Sequence, residues 1–162
     1  MMALRLGRLD VQIDPAAHHV TMAGRIDDST SFAEVLAKLP AGATTIDTSA
    51  VTFINSVGMR EWIRLVRGLR ERGDSITLER VADVLITQMN LIPEFRDTVR
   101  IASFHAQYVC PICGAEAAPV VDAVVHAGQL ATMHAPRLPC PECGGAMELG
   151  DFPERYLMLF RV

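Results

Sequence analysis

Apolar and polar residues alternate over residues 4–13, the pattern of a strand with one buried face, and one continuous strand is expected there. Asp14-Pro15-Ala16-Ala17 reads as the turn that follows. A second strand is expected over residues 19–25. The polar cluster Asp27-Asp28-Ser29-Thr30-Ser31 offers caps for a helix over residues 32–39, which Pro40 and Gly42 stop. Residues 44–47 read as a short strand, and Val51-Thr52-Phe53-Ile54 leads into the next helix.

That helix, over residues 57–72, has the clearest periodicity in the chain. At about 100° per residue, Met59, Trp62, Ile63, Val66 and Leu69 share one face and Arg60, Arg64 and Arg67 the other. Gly73 ends it. A strand over 75–79, a helix over 82–90, a turn opened by Pro93-Glu94-Phe95 and a strand over 99–101 follow. Strands alternating with helices imply an α/β fold: a mixed sheet with parallel pairs covered by helices.

Near residue 105 the character of the chain changes. Cysteines begin, and short apolar runs at 120–125, 130–133 and 156–162 sit between Gly and Pro punctuation. These runs read as strands of a small β-rich module, which divides the chain into residues 1–104 and 105–162.

Charge narrows the functions available. Residues 1–104 carry 12 basic and 13 acidic side chains, and residues 105–162 carry 3 and 6, a net of −3. Nucleic-acid affinity comes largely from phosphate neutralisation by Lys and Arg, so an acidic tail is poorly suited to it. No charged segment followed by an apolar stretch and a small-residue cleavage site opens the chain, and no run approaches the roughly 18 apolar residues of a membrane helix. A cytoplasmic protein without membrane insertion is expected, and in that reducing setting cysteines are better read as metal ligands or redox groups than as disulfides.

The four cysteines form the one internal repeat: Cys110-Pro111-Ile112-Cys113-Gly114 and Cys140-Pro141-Glu142-Cys143-Gly144, separated by 26 residues. Two cysteines three apart reach one ion if the backbone turns tightly between them, and the glycine after each pair permits that turn. The reading is one structural zinc held by Cys110, Cys113, Cys140 and Cys143, since four thiolates leave no open position for catalysis. A thioredoxin-like redox pair needs a single motif at a helix start; an iron–sulfur cluster is also compatible with four thiolates. His105, His126 and His134 lie nearby as substitute ligands, against the commoner reading of solvated or core histidines.

In the first part of the chain, Thr45-Ile46-Asp47-Thr48-Ser49-Ala50-Val51-Thr52-Phe53-Ile54-Asn55-Ser56-Val57-Gly58, followed by an amphipathic helix, resembles the signature of the STAS family, the anti-sigma-factor antagonists and their relatives. Gly24-Arg25-Ile26-Asp27 is similar to that family's second-strand motif, and the order of elements through Ile101 is similar as well. The resemblance implies a non-enzymatic switch domain in which a serine just before the motif's glycine is phosphorylated by a partner kinase. Here that position is Val57, which has no hydroxyl, and Ser56 sits one residue early, rotated away. Asp27, Asn55 and Gly58 match positions near the family's binding site, and the Arg60, Arg64, Arg67 stripe is expected on the exposed side of the same helix. The plainer readings are caps at Asn55 or Ser56, a turn at Asp27 and a solvated arginine face.

The expectation is therefore a regulatory protein-interaction module, without phosphorylation at the usual position, that binds a protein partner such as an anti-sigma factor or a related switch kinase. A second version is a STAS structural subunit of a larger complex, as in bacterial lipid-transport systems. A zinc-ribbon nucleic-acid-binding regulator is the third, opposed by the acidic tail, where only Tyr108 and Tyr156 could stack on bases. No enzyme is expected: the chain has no Gly-rich phosphate loop, Gly-x-Ser-x-Gly elbow or His-Glu-x-x-His helix, and His18-His19 is more simply a solvated turn.

Overall fold

The fold begins with a phase slip. Leu4 and Leu6 fall on even positions, whereas Leu9, Val11 and Ile13 fall on odd ones, and a two-residue turn between them is what keeps both sets on one face. The computed structural model, which describes residues 1–162, has that turn at Gly7-Arg8. The single strand expected over 4–13 is thus two, β1 (Met2–Leu6) and β2 (Leu9–Asp14), paired antiparallel with Leu6 opposite Leu9.

β3 (His19–Ile26) pairs antiparallel with β2 and buries Val20, Met22 and Ile26. After the short helix α1 (Ala33–Lys38), β4 (Thr44–Ile54) lies parallel to β3. Instead of ending near Asp47, β4 runs on to Ile54, because register shifts at Thr21/Ala23 and Gly24/Arg25 let the two strands stay paired past Thr48. α2 (Ser56–Glu71) returns to β5 (Ile76–Glu79), and α3 (Asp83–Met89) with a 3₁₀ turn (Pro93–Arg96) returns to β6 (Arg100–Ile101).

The six strands lie in sequence order, β1-β2-β3-β4-β5-β6, antiparallel as far as β3 and parallel beyond it. Right-handed crossovers that all step the same way place α1, α2 and α3 on one face. Asp10 and Gln12 point to the other, which faces solvent. On the covered face α2 buries Met59, Trp62, Leu65, Val66 and Leu69, while Phe32 meets the Trp62 ring edge-on at 6.2 Å. Leu65 replaces Ile63 in the expected stripe: the buried face of α2 is turned by about 40° from the one expected, and Ile63 lies at its margin, only partly covered.

Beyond β6 the chain pairs β7 (Ser103–His105) with β10 (Val120–Asp122) and forms a four-stranded antiparallel sheet from β8 (Tyr108–Val109), β9 (Glu116–Ala117), β11 (Leu138–Pro139) and β12 (Ala146–Leu149). Two runs expected as strands are helical. Leu130 lies in α4 (Ala127–Ala131), and Tyr156 in α5 (Pro153–Leu157), which continues as a 3₁₀ turn (Met158–Phe160). Pro153 at the first helical position, with Glu154 behind it, starts α5. The run at 120–125 stops pairing at Asp122, whose carboxylate accepts from Val124 N and Val125 N.

One apolar core crosses residue 105. Phe104 bridges to Val81 and stacks on Phe160 at 5.1 Å, and Tyr108, Val121, Leu130, Tyr156 and Leu157 join the cluster that contains Trp62. A polar seam runs beside it. The Tyr156 hydroxyl donates to Asp83 Oδ1 (2.6 Å) and accepts from Gln107 N (3.3 Å), while Gln107 Nε2 donates to Asp83 Oδ2 (2.6 Å). Asn90 Nδ2 donates to Tyr156 O (3.0 Å), and Asn90 Oδ1 accepts from Leu159 N (3.0 Å).

Candidate metal centre and docking face

The two Cys-Pro-x-Cys-Gly segments fold as matching knuckles. In each, the first cysteine's carbonyl accepts from the glycine N–H four residues on, Gly114 at 2.9 Å and Gly144 at 3.0 Å. Those glycines have φ of +76° and +75°, a region closed to most side chains. Cys110 N donates to Ala115 O and Cys140 N to Gly145 O, closing each loop. β8 leads into the first knuckle and β12 leaves the second; because these strands pair, the four thiols converge.

All four sulfurs lie within 4.8 Å of one another, with Cys110 Sγ 3.5 Å from Cys143 Sγ and Cys113 Sγ 3.6 Å from Cys140 Sγ. Four sulfurs at about 2.3 Å from a common centre would stand about 3.8 Å apart, so the cluster fits one tetrahedral metal ion. Backbone N–H groups point at the sulfurs, Glu142 N to Cys140 and Gly145 N to Cys143, both at 3.4 Å. The Cys110 thiol is drawn down to about 7, chiefly by the backbone N–H of Cys113. Cys110 and Cys140 are buried and Cys113 and Cys143 exposed, so a bound ion would sit half under the surface. The histidines stand apart from this group: His105 Nδ1 meets Ala118 O, and His134 Nδ1 meets Thr132 Oγ1.

The second candidate site is built on the start of α2. Asn55 is its N-cap, with Oδ1 accepting from Gly58 N at 2.8 Å. Gly58 lies so close to β3 that an added Cβ would stand 2.0 Å from Ile26 O. Asp27 is buried, and its carboxylate accepts from Ser29 N (3.0 Å), Ser29 Oγ (2.6 Å) and Arg8 Nη1 (3.1 Å). These bonds, that of the Ser29 hydroxyl foremost, hold it down at about 2. Asp27 and Gly58 thus shape the ledge from beneath, and Ser56 and Val57 are what it exposes.

Comparison with protein-family models, with curated proteins and with solved structures returned no match. The site is therefore read from its own geometry.

Beside the ledge, α2 and the end of α3 leave a groove of about 420 Å³ with an apolar floor of Met59, Ile63, Leu91 and Ile92 and a rim of Ser56, Arg60 and Gln88. Ser56 lines this groove and Val57 does not. The arginine stripe divides. Arg64 pairs with Glu61 (2.9 Å), Arg67 clamps Glu94 through two bonds of 2.9 Å, and Arg60 alone has no acidic partner. Sequence reading did not single out Leu91. Its signal was a leucine just past the end of a helix, and it is 75 % exposed.

No helix is long and apolar enough to cross a membrane.

Proposed function

We propose that this chain is a non-enzymatic protein-interaction module of the anti-sigma-factor-antagonist type, whose partner docks on the Ser56–Val57 ledge and the groove beside it. The observation that carries the reading is that groove: an apolar floor, an exposed Leu91 and an unpaired Arg60, set against the helix start that resembles the STAS signature. An amphipathic partner helix with an acidic residue opposite Arg60 suits it. Val57 offers no hydroxyl, so docking is constitutive rather than switched by a phosphate there; stoichiometric phosphate on Ser56 in protein from its native cell would overturn this. The partner class is an anti-sigma factor or a related ATP-binding switch kinase.

The bound metal is zinc in a structural role, supported by four thiolates and no vacant coordination position. The missing acceptor at Val57 also favours a second reading, a fixed subunit of a larger assembly such as a lipid-transport complex. Tagged full-length chain, purified from its native lysate and analysed by mass spectrometry, separates the two. A switch kinase or anti-sigma factor captured by the wild type and lost in Leu91→Asp supports the first reading. Transport components lost in the same variant support the second. Equal capture of one partner by both proteins would place docking elsewhere.

A further inference from the structure

Of the 15 lysine and arginine side chains, ten take part in ion pairs. Five arginines do not: Arg60, Arg70, Arg96, Arg100 and Arg161. Three of these five, Arg70, Arg96 and Arg100, line one cavity of about 260 Å³ together with Ser75, Asp97 and Thr98. They reach it from three elements: the last turn of α2, the 3₁₀ turn before β6, and β6 itself. Arg161 is adjacent, because Arg96 Nη2 donates to its carbonyl.

From this convergence we infer that the cavity is a binding site for a phosphate group. Three arginine side chains lining one space concentrate positive charge there, and with Asp97 the one acidic residue of the lining, the cavity carries a net charge of +2. In a chain of net charge −4 such a concentration runs against the average. A phosphate monoester or pyrophosphate end brings about −1.5 to −2 charges and three terminal oxygens. Arginine forks match such oxygens in pairs, and a single carboxylate has only two oxygens to share among three forks. The volume lies below the roughly 300 Å³ at which drug-sized pockets begin, which suits a small headgroup or a free phosphate compound.

Arg70 also answers the negative end of the α2 dipole, an ordinary reason for a basic residue there. That reason does not extend to Arg96 or Arg100, which lie outside any α-helix. The site is separate from the docking face: Ser56 and Arg70 stand at opposite ends of α2, roughly 21 Å apart along its axis.

The test uses full-length protein and two probes, pyrophosphate followed by calorimetry and phosphatidylcholine vesicles with and without phosphatidic acid followed by co-sedimentation. Saturable binding of pyrophosphate, weakened at least about tenfold in Arg70→Gln/Arg100→Gln and unchanged in Arg60→Gln, is the expected result. Binding to phosphatidic-acid vesicles alone, lost in the same double variant and kept in Arg60→Gln, would support the site with a lipid headgroup as its source. All three arginines are exposed, so each variant should keep the wild-type melting temperature. No binding of either probe, binding that survives the double variant, or equal weakening by Arg60→Gln would overturn the assignment.

Discussion

The residues that the sequence pattern marks for contact divide, in the folded chain, into those that touch solvent and those that shape what does. Asp27 and Gly58 were both expected near a binding surface, yet one is buried under hydrogen bonds and the other lies against the backbone of β3. The turn at Asp27, closed by Ser29 two residues on, was legible in one dimension, whereas the bond from Arg8 and the approach of Gly58 to Ile26 depend on distant residues being brought alongside. Asp27 yields a measurable consequence. Its carboxyl sits at about 2 against an ordinary 3.8, so the folded state favours the ionised form. That contribution is fully present above the unfolded value and fades as pH falls through the folded one, a window from about pH 4 to about pH 2. Urea midpoints of the wild type should fall across this window faster than those of Asp27→Asn. Parallel pH profiles for the two proteins would show that the hydrogen bonds at Asp27 do not bear on folding.

Periodicity carried the main elements and failed where packing overrode it. α2 was legible because five apolar residues recur on one face, and the knuckles because two identical motifs repeat. The hairpin of β1 and β2 was missed although the shift from even to odd leucines marked its turn. Leu130 and Tyr156 were assigned to strands because short apolar runs do not distinguish strand from helix; what decides for α5 is its fit against α3. That fit is polar as well as apolar. Tyr156 is buried, and its phenol, shielded from water and hydrogen-bonded to Asp83, is pushed well above its ordinary value, so it remains a donor throughout the neutral range. Removing that hydroxyl in Tyr156→Phe leaves Asp83 Oδ1 without its Tyr156 donor and Gln107 N without its acceptor. The expected cost is about 1–2 kcal/mol, read as a lower urea midpoint with an unchanged m-value. An unshifted midpoint would mean that the Tyr156 hydroxyl adds nothing to the apolar contacts and the Asn90 hydrogen bonds that hold α5 to α3.

At the scale of the whole molecule, two of the metal-site cysteines and the apolar residues of the sheet share one core, and the question is how far the loss of the ion spreads. The knuckles join strands of two to four residues, too short to hold together without a staple. Phe104, Tyr108, Leu130 and Tyr156 belong to the cluster that contains Trp62, so the segments carrying them have apolar anchorage that does not depend on the ion. Metal removal should therefore loosen the chain locally. Trp62 is the one tryptophan and is fully buried on α2 against Phe32, which makes its fluorescence a reporter of the core around α2. On strong chelation, or in Cys140→Ser, proteolysis should open new sites within residues 110–145, and the thermal midpoint should fall. The Trp62 emission maximum at room temperature should stay where it was. Unchanged protease resistance would refute a structural metal, because the thiols would then be held without it. A red shift of Trp62 alongside new cleavage would show instead that the ion supports the whole core, and that the sheet and the tail unfold as one cooperative unit.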